Sequence, residues 1–193
     1  MKVTYCIYIF LALLKFIPSG HTMELRTVEG AMVKVDSSKH IVSNGKPDPE
    51  IYLQRSISKR KKGDYISAIK DSNKFIELLP NDARGYTSRG FAEKSLGKFD
   101  EANADFSKAI SLQPNEYMYL NRGLLNLDFK KYKDAILDFD KAIELDPKFS
   151  TYYRYRAVCK FAIGDPIGGC LDLDAQVKLG SKVAQKEMQK RCK

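Results

Sequence analysis

Four arginines recur at near-constant spacing: Arg55, Arg89, Arg122 and Arg156 stand 34, 33 and 34 residues apart. Each is followed sixteen residues later by an aspartate, namely Asp71, Asp105, Asp138 and Asp172. A guanidinium is a rigid fork of donors that matches a carboxylate or a phosphate. The row of arginines therefore has two readings, an anion clamp or a set of internal ion pairs. The fixed offset favours internal pairs, because it gives every guanidinium a carboxylate within its own unit. Other side chains that do chemistry near neutral pH are scarce. His21 and His40 both precede the recurrent part, which leaves it without the usual general base. No G-x-S-x-G, phosphate-loop or dinucleotide fingerprint occurs. The cysteines, Cys6, Cys159, Cys170 and Cys192, have no C-x-x-C spacing and no histidine near them, so they form no metal-binding set. Neither catalysis, a metal nor a cofactor is expected.

The elements that must position these pairs follow from the same period. Tyr52, Tyr86, Tyr119 and Tyr153 keep it, as do Leu78, Leu112, Leu145 and Leu179. Ala68, Ala102 and Ala135 stay in step, with Gly169 in the fourth place, and Pro80, Pro114 and Pro147 close the first three units. A period of this length marks stacked helical units. Within a unit, apolar residues fall at three- and four-residue intervals, the pattern of amphipathic helices. In the second unit the spacing predicts helices over 83–96 and 99–112, with Gly97 in the turn between them. Pro114 stops the second helix, and the small Ala102 allows a close crossing. A charged fraction of 30% with few Gly and Pro also favours helices over many short strands.

The string Tyr119, Gly123, Tyr132, Ala135, Phe139, Ala142 and Pro147 resembles the tetratricopeptide repeat, and the resemblance extends over about 49–179. It implies an all-α solenoid of about four helix pairs, over 49–82, 83–115, 116–148 and 149–180. A capping helix over 181–193 would close the array, with Val183, Ala184 and Met188 on its covering face. Ser56 stands where the family has Gly, Phe75 where it has a small residue, and Lys130 at a turn. Pro166 and Gly168-Gly169 in the last unit predict a late start for its second helix. The resemblance further implies a non-catalytic adaptor or scaffold that holds a partner protein or peptide in a groove lined by the first helices. The groove candidates are Arg84, Thr87, Ser88, Phe91, Lys94, Tyr117, Asn121, Arg154 and Tyr155, with Leu53, Ile57, Leu124 and Val158 beside them. Asn121 suits a peptide backbone, since its amide both donates and accepts. Leu53 and Ile57 occupy places where a clamp for a C-terminal carboxylate needs Lys and Asn, so that clamp is not expected.

Residues 1–20 have the pattern of a secretory signal peptide: Lys2, an uncharged stretch over 3–14, then Pro18, Ser19 and Gly20. The apolar stretch is short of the ~20 residues of a spanning helix; left uncleaved, it would anchor the chain at a membrane. Residues 21–48 read as a flexible lead-in with a short strand around Met32, Val33 and Val35. Export brings an oxidising compartment. On the repeat layout, Cys170 starts the last unit's second helix and Cys192 ends the capping helix. A Cys170–Cys192 bond would staple the cap down, leaving Cys159 as a buried thiol or as a competing partner of Cys170. The Gly169-Cys170 turn, the Leu179-Gly180 step and the terminal Cys192 also resemble the final unit of exported Bacteroidetes-type repeat proteins, which implies a periplasmic or envelope location.

The formal charge is +9, from 33 Lys and Arg against 24 Asp and Glu. Basic residues cluster at Lys59-Arg60-Lys61-Lys62 and at Lys182, Lys186, Lys190, Arg191 and Lys193. Binding of an anionic polymer or a membrane surface through these ends is the alternative function, and salt dependence separates it from groove binding. A nucleic-acid site is not expected, because no binding motif or row of stacking aromatics accompanies the basic clusters.

Overall fold

The computed structural model describes residues 22–26, 32–36 and 48–192, in two units that divide at Asp48 and Pro49. The signal peptide expected over 1–20 lies outside the described residues, and so does much of the lead-in. In the first unit, β1 (Thr22–Arg26) pairs antiparallel with β2 (Met32–Asp36), placing Thr22 opposite Asp36 and Glu24 opposite Lys34. Strand β2 falls where the sequence places a short strand, around Met32, Val33 and Val35, and β1 is added to it. Strand β2 carries two valines in alternation and is legible alone. Strand β1, with Met, Glu and Leu, has weak strand propensity of its own and is defined by its partner.

The second unit is helical throughout its described residues. Its elements are α1 (Pro49–Lys61), α2 (Tyr65–Leu78), α3 (Ala83–Ser95), α4 (Phe99–Leu112), α5 (Glu116–Asp128), α6 (Tyr132–Leu145), α7 (Ser150–Ala162), α8 (Pro166–Lys178) and α9 (Lys182–Arg191). Successive helices pair as α1 with α2, α3 with α4, α5 with α6 and α7 with α8, and α9 packs on α8. Across units, α1 also touches α3 and α5 touches α7, so the first helices share one side of the array.

Local chemistry sets the boundaries. Side chains of Asp64, Asp82, Asn115, Asp165 and Ser181 accept hydrogen bonds from backbone N–H groups in the first turns of α2, α3, α5, α8 and α9. The turn inside three of the four pairs reverses at a glycine with φ near 80°, such as Gly97 at 74°. The third pair reverses at Lys130, with φ of 60°, where a side chain is strained against its own carbonyl. Helix α8 does not start late. It begins in register at Pro166, which takes the first helical position, where a missing N–H leaves nothing unpaired. The Asp165 carboxylate then accepts from the Gly168 N–H at 2.8 Å.

The core runs along the helix crossings as small residues facing aromatics. Ala102, Phe106 and Leu125 form one buried cluster, and Ala135, Phe139 and Cys159 another. In the third unit a Cβ at Gly123 would lie 2.7 Å from the Phe139 ring, so only glycine permits that approach. The first unit solves the same crossing differently. Ser56 replaces the glycine, and Ser72 replaces the phenylalanine opposite it; their hydroxyls share a 2.8 Å hydrogen bond. The displaced bulk reappears one turn later as the fully buried Phe75. Gly85 of the next unit makes room for it, since a Cβ there would stand 2.6 Å from the ring. Volume is redistributed, as close packing requires.

Candidate protein-binding groove

Each recurrent arginine reaches the aspartate sixteen residues on. Arg89 donates to both Asp105 oxygens at 2.7 Å, Arg122 to Asp138 at 2.6 and 3.1 Å, and Arg156 to Asp172 at 2.6 and 3.0 Å. Arg55 likewise takes both oxygens of Asp71, one at 2.7 Å. In the last three units the remaining guanidinium nitrogen extends to the preceding unit. It meets Asn73 of α2 at 2.7 Å, Ser107 of α4 at 3.0 Å and Asp140 of α6 at 2.5 Å. Each of these arginines thus ties its own two helices together and fastens them to the unit before. A tyrosine ring lies under every guanidinium, from Tyr52 at 5.2 Å to Tyr119 at 6.0 Å. With the donors committed in this way, Arg89, Arg122 and Arg156 are not left as an anion clamp, and the half-exposed Arg55 is held in its pair with Asp71.

One turn beyond each arginine stands a residue that tunes the pair. Lys59 and Lys160 add second cations to Asp71 and Asp172, at 2.8 and 3.1 Å. Asn126 donates to Asp138 at 3.0 Å. The consequence shows in the acids. Burial pushes the Asp71 carboxyl up, but hydrogen bonds from Arg55 and Lys59 outweigh it and leave its pKa lowered. At Asp138 burial wins over Arg122 and the neutral Asn126, and the pKa is raised. In the second unit the equivalent residue is Glu93, an acid facing an acid. Burial, then the charge of Asp105, raise its pKa from 4.5 to about 7, and its buried Oε2 has no donor in reach.

The groove candidates separate into committed and available side chains. Ser88 does not face the groove: it is buried and shares a 2.8 Å hydrogen bond with Ser56, completing a three-serine cluster. Leu53 is buried as well. Phe91 packs edge-on against Phe106 at 5.2 Å and carries the Arg60 guanidinium on its other side at 5.0 Å, so it fills space between units. Thr87 donates to the Ala83 carbonyl at 2.9 Å. Arg84 is paired with Asp82 and Glu50, at 2.8 and 3.1 Å, and Lys94 with Asp128 at 2.7 Å. What remains accessible is Tyr117, 59% exposed, the half-buried Asn121, Val158 at 47%, and Arg154 stacked over Tyr155 at 4.7 Å. Tyr155 in turn stacks on Phe139 at 5.7 Å.

The last unit agrees with the sequence reading on its cysteines and departs from it on the covering helix. Cys170 and Cys192 are joined in a disulfide that ties the end of α9 to α8, and Cys159 is a buried free thiol that desolvation pushes up to about 11. That thiol neither pairs nor ionises near neutral pH. Val183 does not cover the core. It is 78% exposed, whereas Ala184 beside it is buried, because the contact stripe of this short helix is narrow and Val183 lies about 100° round from it. Between α7, α8 and α9 opens a cleft of about 460 Å³, lined by Val158, Phe161, Leu173 and Val183 among others. Among the described residues no group of three or more His, Cys, Asp or Glu is placed to hold a metal ion.

The tetratricopeptide repeat family models match residues 83–116 and 117–149. The array is a tetratricopeptide-repeat solenoid. Among curated relatives, the heat shock protein sti1 homolog of Schizosaccharomyces pombe is 32% identical over 71 residues, which is 37% of this chain and 12% of that protein. The chain therefore spans only a small part of the length of the curated relatives it matches. Among solved structures, MamA of Desulfovibrio magneticus superposes with a TM-score of 0.62 at 20% identity, covering 68% of this chain and 75% of that one. The TPR2B domain of yeast Sti1, whose structure is a complex with pHsp70, gives a TM-score of 0.55 at 27% identity, over 59% of this chain and 97% of that domain. The fold is shared with both solved structures, and pHsp70 belongs to the Sti1 domain.

Proposed function

We propose that this chain is a non-catalytic scaffold that holds a segment of a partner protein on the side of the array formed by the first helices. The observation that carries this reading is the division just described. The recurrent arginines are committed to internal pairs, whereas Tyr117, Asn121, Arg154 and Val158 on α5 and α7 remain accessible on one side. Exposed aromatics and amides on a rigid frame are the composition of a peptide-binding surface. The relation to Sti1, a repeat protein solved in complex with pHsp70, supports it. The carboxylate clamp is no part of the proposal, since Leu53 is buried where a lysine would be needed.

The test is a pull-down from an extract of the source cells, comparing wild type with the Tyr117→Ala, Asn121→Ala double variant at low and high salt. A partner retained by wild type at both salts and lost by the variant is expected. A partner retained equally by the variant would overturn the groove. One lost only at high salt would favour the basic ends instead.

The proposed location is outside the cytoplasm, in the periplasm or envelope. The leader pattern over 1–20 supports it, and so does the disulfide, since such bonds persist in oxidising compartments. The likeness of the last unit to exported Bacteroidetes-type repeat proteins belongs to the same proposal. Among the described residues no helix is long and apolar enough to cross a membrane, so an anchored form would use the leader itself. Cell fractionation with N-terminal sequencing checks this; a cytoplasmic protein that retains Met1 would refute it.

A further inference from the structure

We infer that the cleft between α7 and α9 receives a partner segment carrying an aliphatic side chain beside a carboxylate. This deepens the scaffold reading above and rests on it. The cleft, about 460 Å³, lies within the range of roughly 300–1,000 Å³ in which compact ligands are enclosed. Ala157, Leu173 and Ala184, all buried, line it with apolar surface beside one buried amide, Gln176. Its two walls carry Val158 and Val183, both exposed apolar side chains on facing helices. A terminal helix that served only as a cover would present a polar outer surface. Val183 breaks that rule at the cleft wall, and an aliphatic side chain seated between it and Val158 would remove both from water.

The charge of the rim selects the neighbour of that side chain. The arginines of the Arg–Asp pairs, Arg84 and Lys94 each have a carboxylate within 4.0 Å. Arg154, at the same wall as Val158, has none among the described residues; only the Tyr155 ring lies against it. At the other end of the cleft Arg191 is neutralised by Glu187 and rests on the Phe161 ring at 5.0 Å. The uncompensated charge therefore sits at the Arg154 end. On α9, Lys182, Lys186 and Lys190 are exposed and form a stripe one position round from Val183, again without a carboxylate partner among the described residues. An apolar slot with an uncompensated arginine at one end fits an acidic segment and rejects a basic one, because a like charge there would be placed beside Arg154 without compensation. The Cys170–Cys192 bond holds the end of α9 against α8, which fixes the width of the slot.

The experiment selects a displayed library of random 12-residue peptides on the oxidised full chain, then measures enriched peptides by fluorescence anisotropy. The expected consensus is Leu, Ile or Val adjacent to Asp or Glu. Arg154→Glu and Val183→Asp, both at exposed positions, should each weaken binding at least tenfold while circular dichroism and Tm stay near wild type. Selection on Arg154→Glu should no longer enrich acids. Enriched peptides that lack acids, or that bind both variants as well as wild type yet lose affinity to Tyr117→Ala, would overturn the cleft and leave the scaffold reading standing. No enrichment on any variant would count against both. Binding of phosphatidylglycerol vesicles in place of peptides, abolished by replacing Lys182, Lys186 and Lys190, would assign the rim to a membrane and overturn the proposal.

Discussion

Glu93→Gln should make the array more stable at pH 8 and change little at pH 5. In the wild type Glu93 is nearly enclosed, its side chain 11% exposed, with Arg89 at 4.0 Å on its own helix and Asp105 and Glu101 facing it from α4. Burial first, then Asp105, lift its pKa from 4.5 to about 7. A folded-state pKa above the unfolded value means that the folded chain binds the extra proton. Stability is therefore fully present below about pH 4.5 and declines as pH rises through about 7. A shift of that size corresponds to a loss of about 3 kcal/mol between the two limits, and about 2 kcal/mol between pH 5 and 8. Glutamine keeps the shape, offers an amide N–H to Asp105 without taking up a proton from solvent, and does not titrate. Glu93→Lys should go further, since it reproduces the second cation that Lys59 and Lys160 supply in the first and last units. The assay is urea unfolding followed by far-ultraviolet circular dichroism at pH 5 and pH 8 on oxidised protein. All other titrating groups are common to wild type and variant, so the difference of differences reports the Glu93 carboxyl together with its interaction with Asp105. Parallel pH profiles for wild type and Glu93→Gln would refute the argument.

Lys130→Gly should stabilise by about 1 kcal/mol by relieving the left-handed strain at φ of 60°, read as a higher urea midpoint at unchanged slope. Arg156→Ala leaves the buried Asp172 to Lys160 alone and cuts the tie to Asp140, and should cost about 2 kcal/mol, while Tyr117→Ala should leave Tm within a degree or two. Ala102→Leu, at a fully buried crossing, should cost about 1–3 kcal/mol; an unchanged melting curve would contradict the packing described. Opening the Cys170–Cys192 bond with a reductant should lower stability by about 3 kcal/mol on the loop-closure argument, and Cys170→Ser with Cys192→Ser should abolish the response to reductant.

The repeat itself was legible because it is written four times. Register depends on residue type at fixed intervals, and Arg55, Arg89, Arg122 and Arg156 with their aspartates report it without reference to space. The turn at Gly97 was legible for a related reason, since a glycine reverses the chain within a few residues of itself. Pro166 suggests a late start from its helix-breaking character alone, whereas at the first helical position it begins α8 in register. The groove was legible only in outline. Sequence placed Ser88 and Phe91 on a first helix but not against Ser56 or between Phe106 and Arg60, since those neighbours belong to other helices.

What the sequence by itself determined is the chain of local preferences: the period, the helices, the ion-pair register and the exclusion of common catalytic motifs. What only the tertiary structure decided is which side chains are already taken. Ser56, Ser72 and Phe75 show a volume exchange across two units that no single position announces. Glu93 becomes unusual only because Asp105 stands opposite it, and Val183 becomes exposed only because Ala184 takes the narrow contact stripe. Helix formation is governed by neighbours in the chain, whereas burial, pKa and free surface are governed by neighbours in space, and in a solenoid most of those come from the adjoining unit.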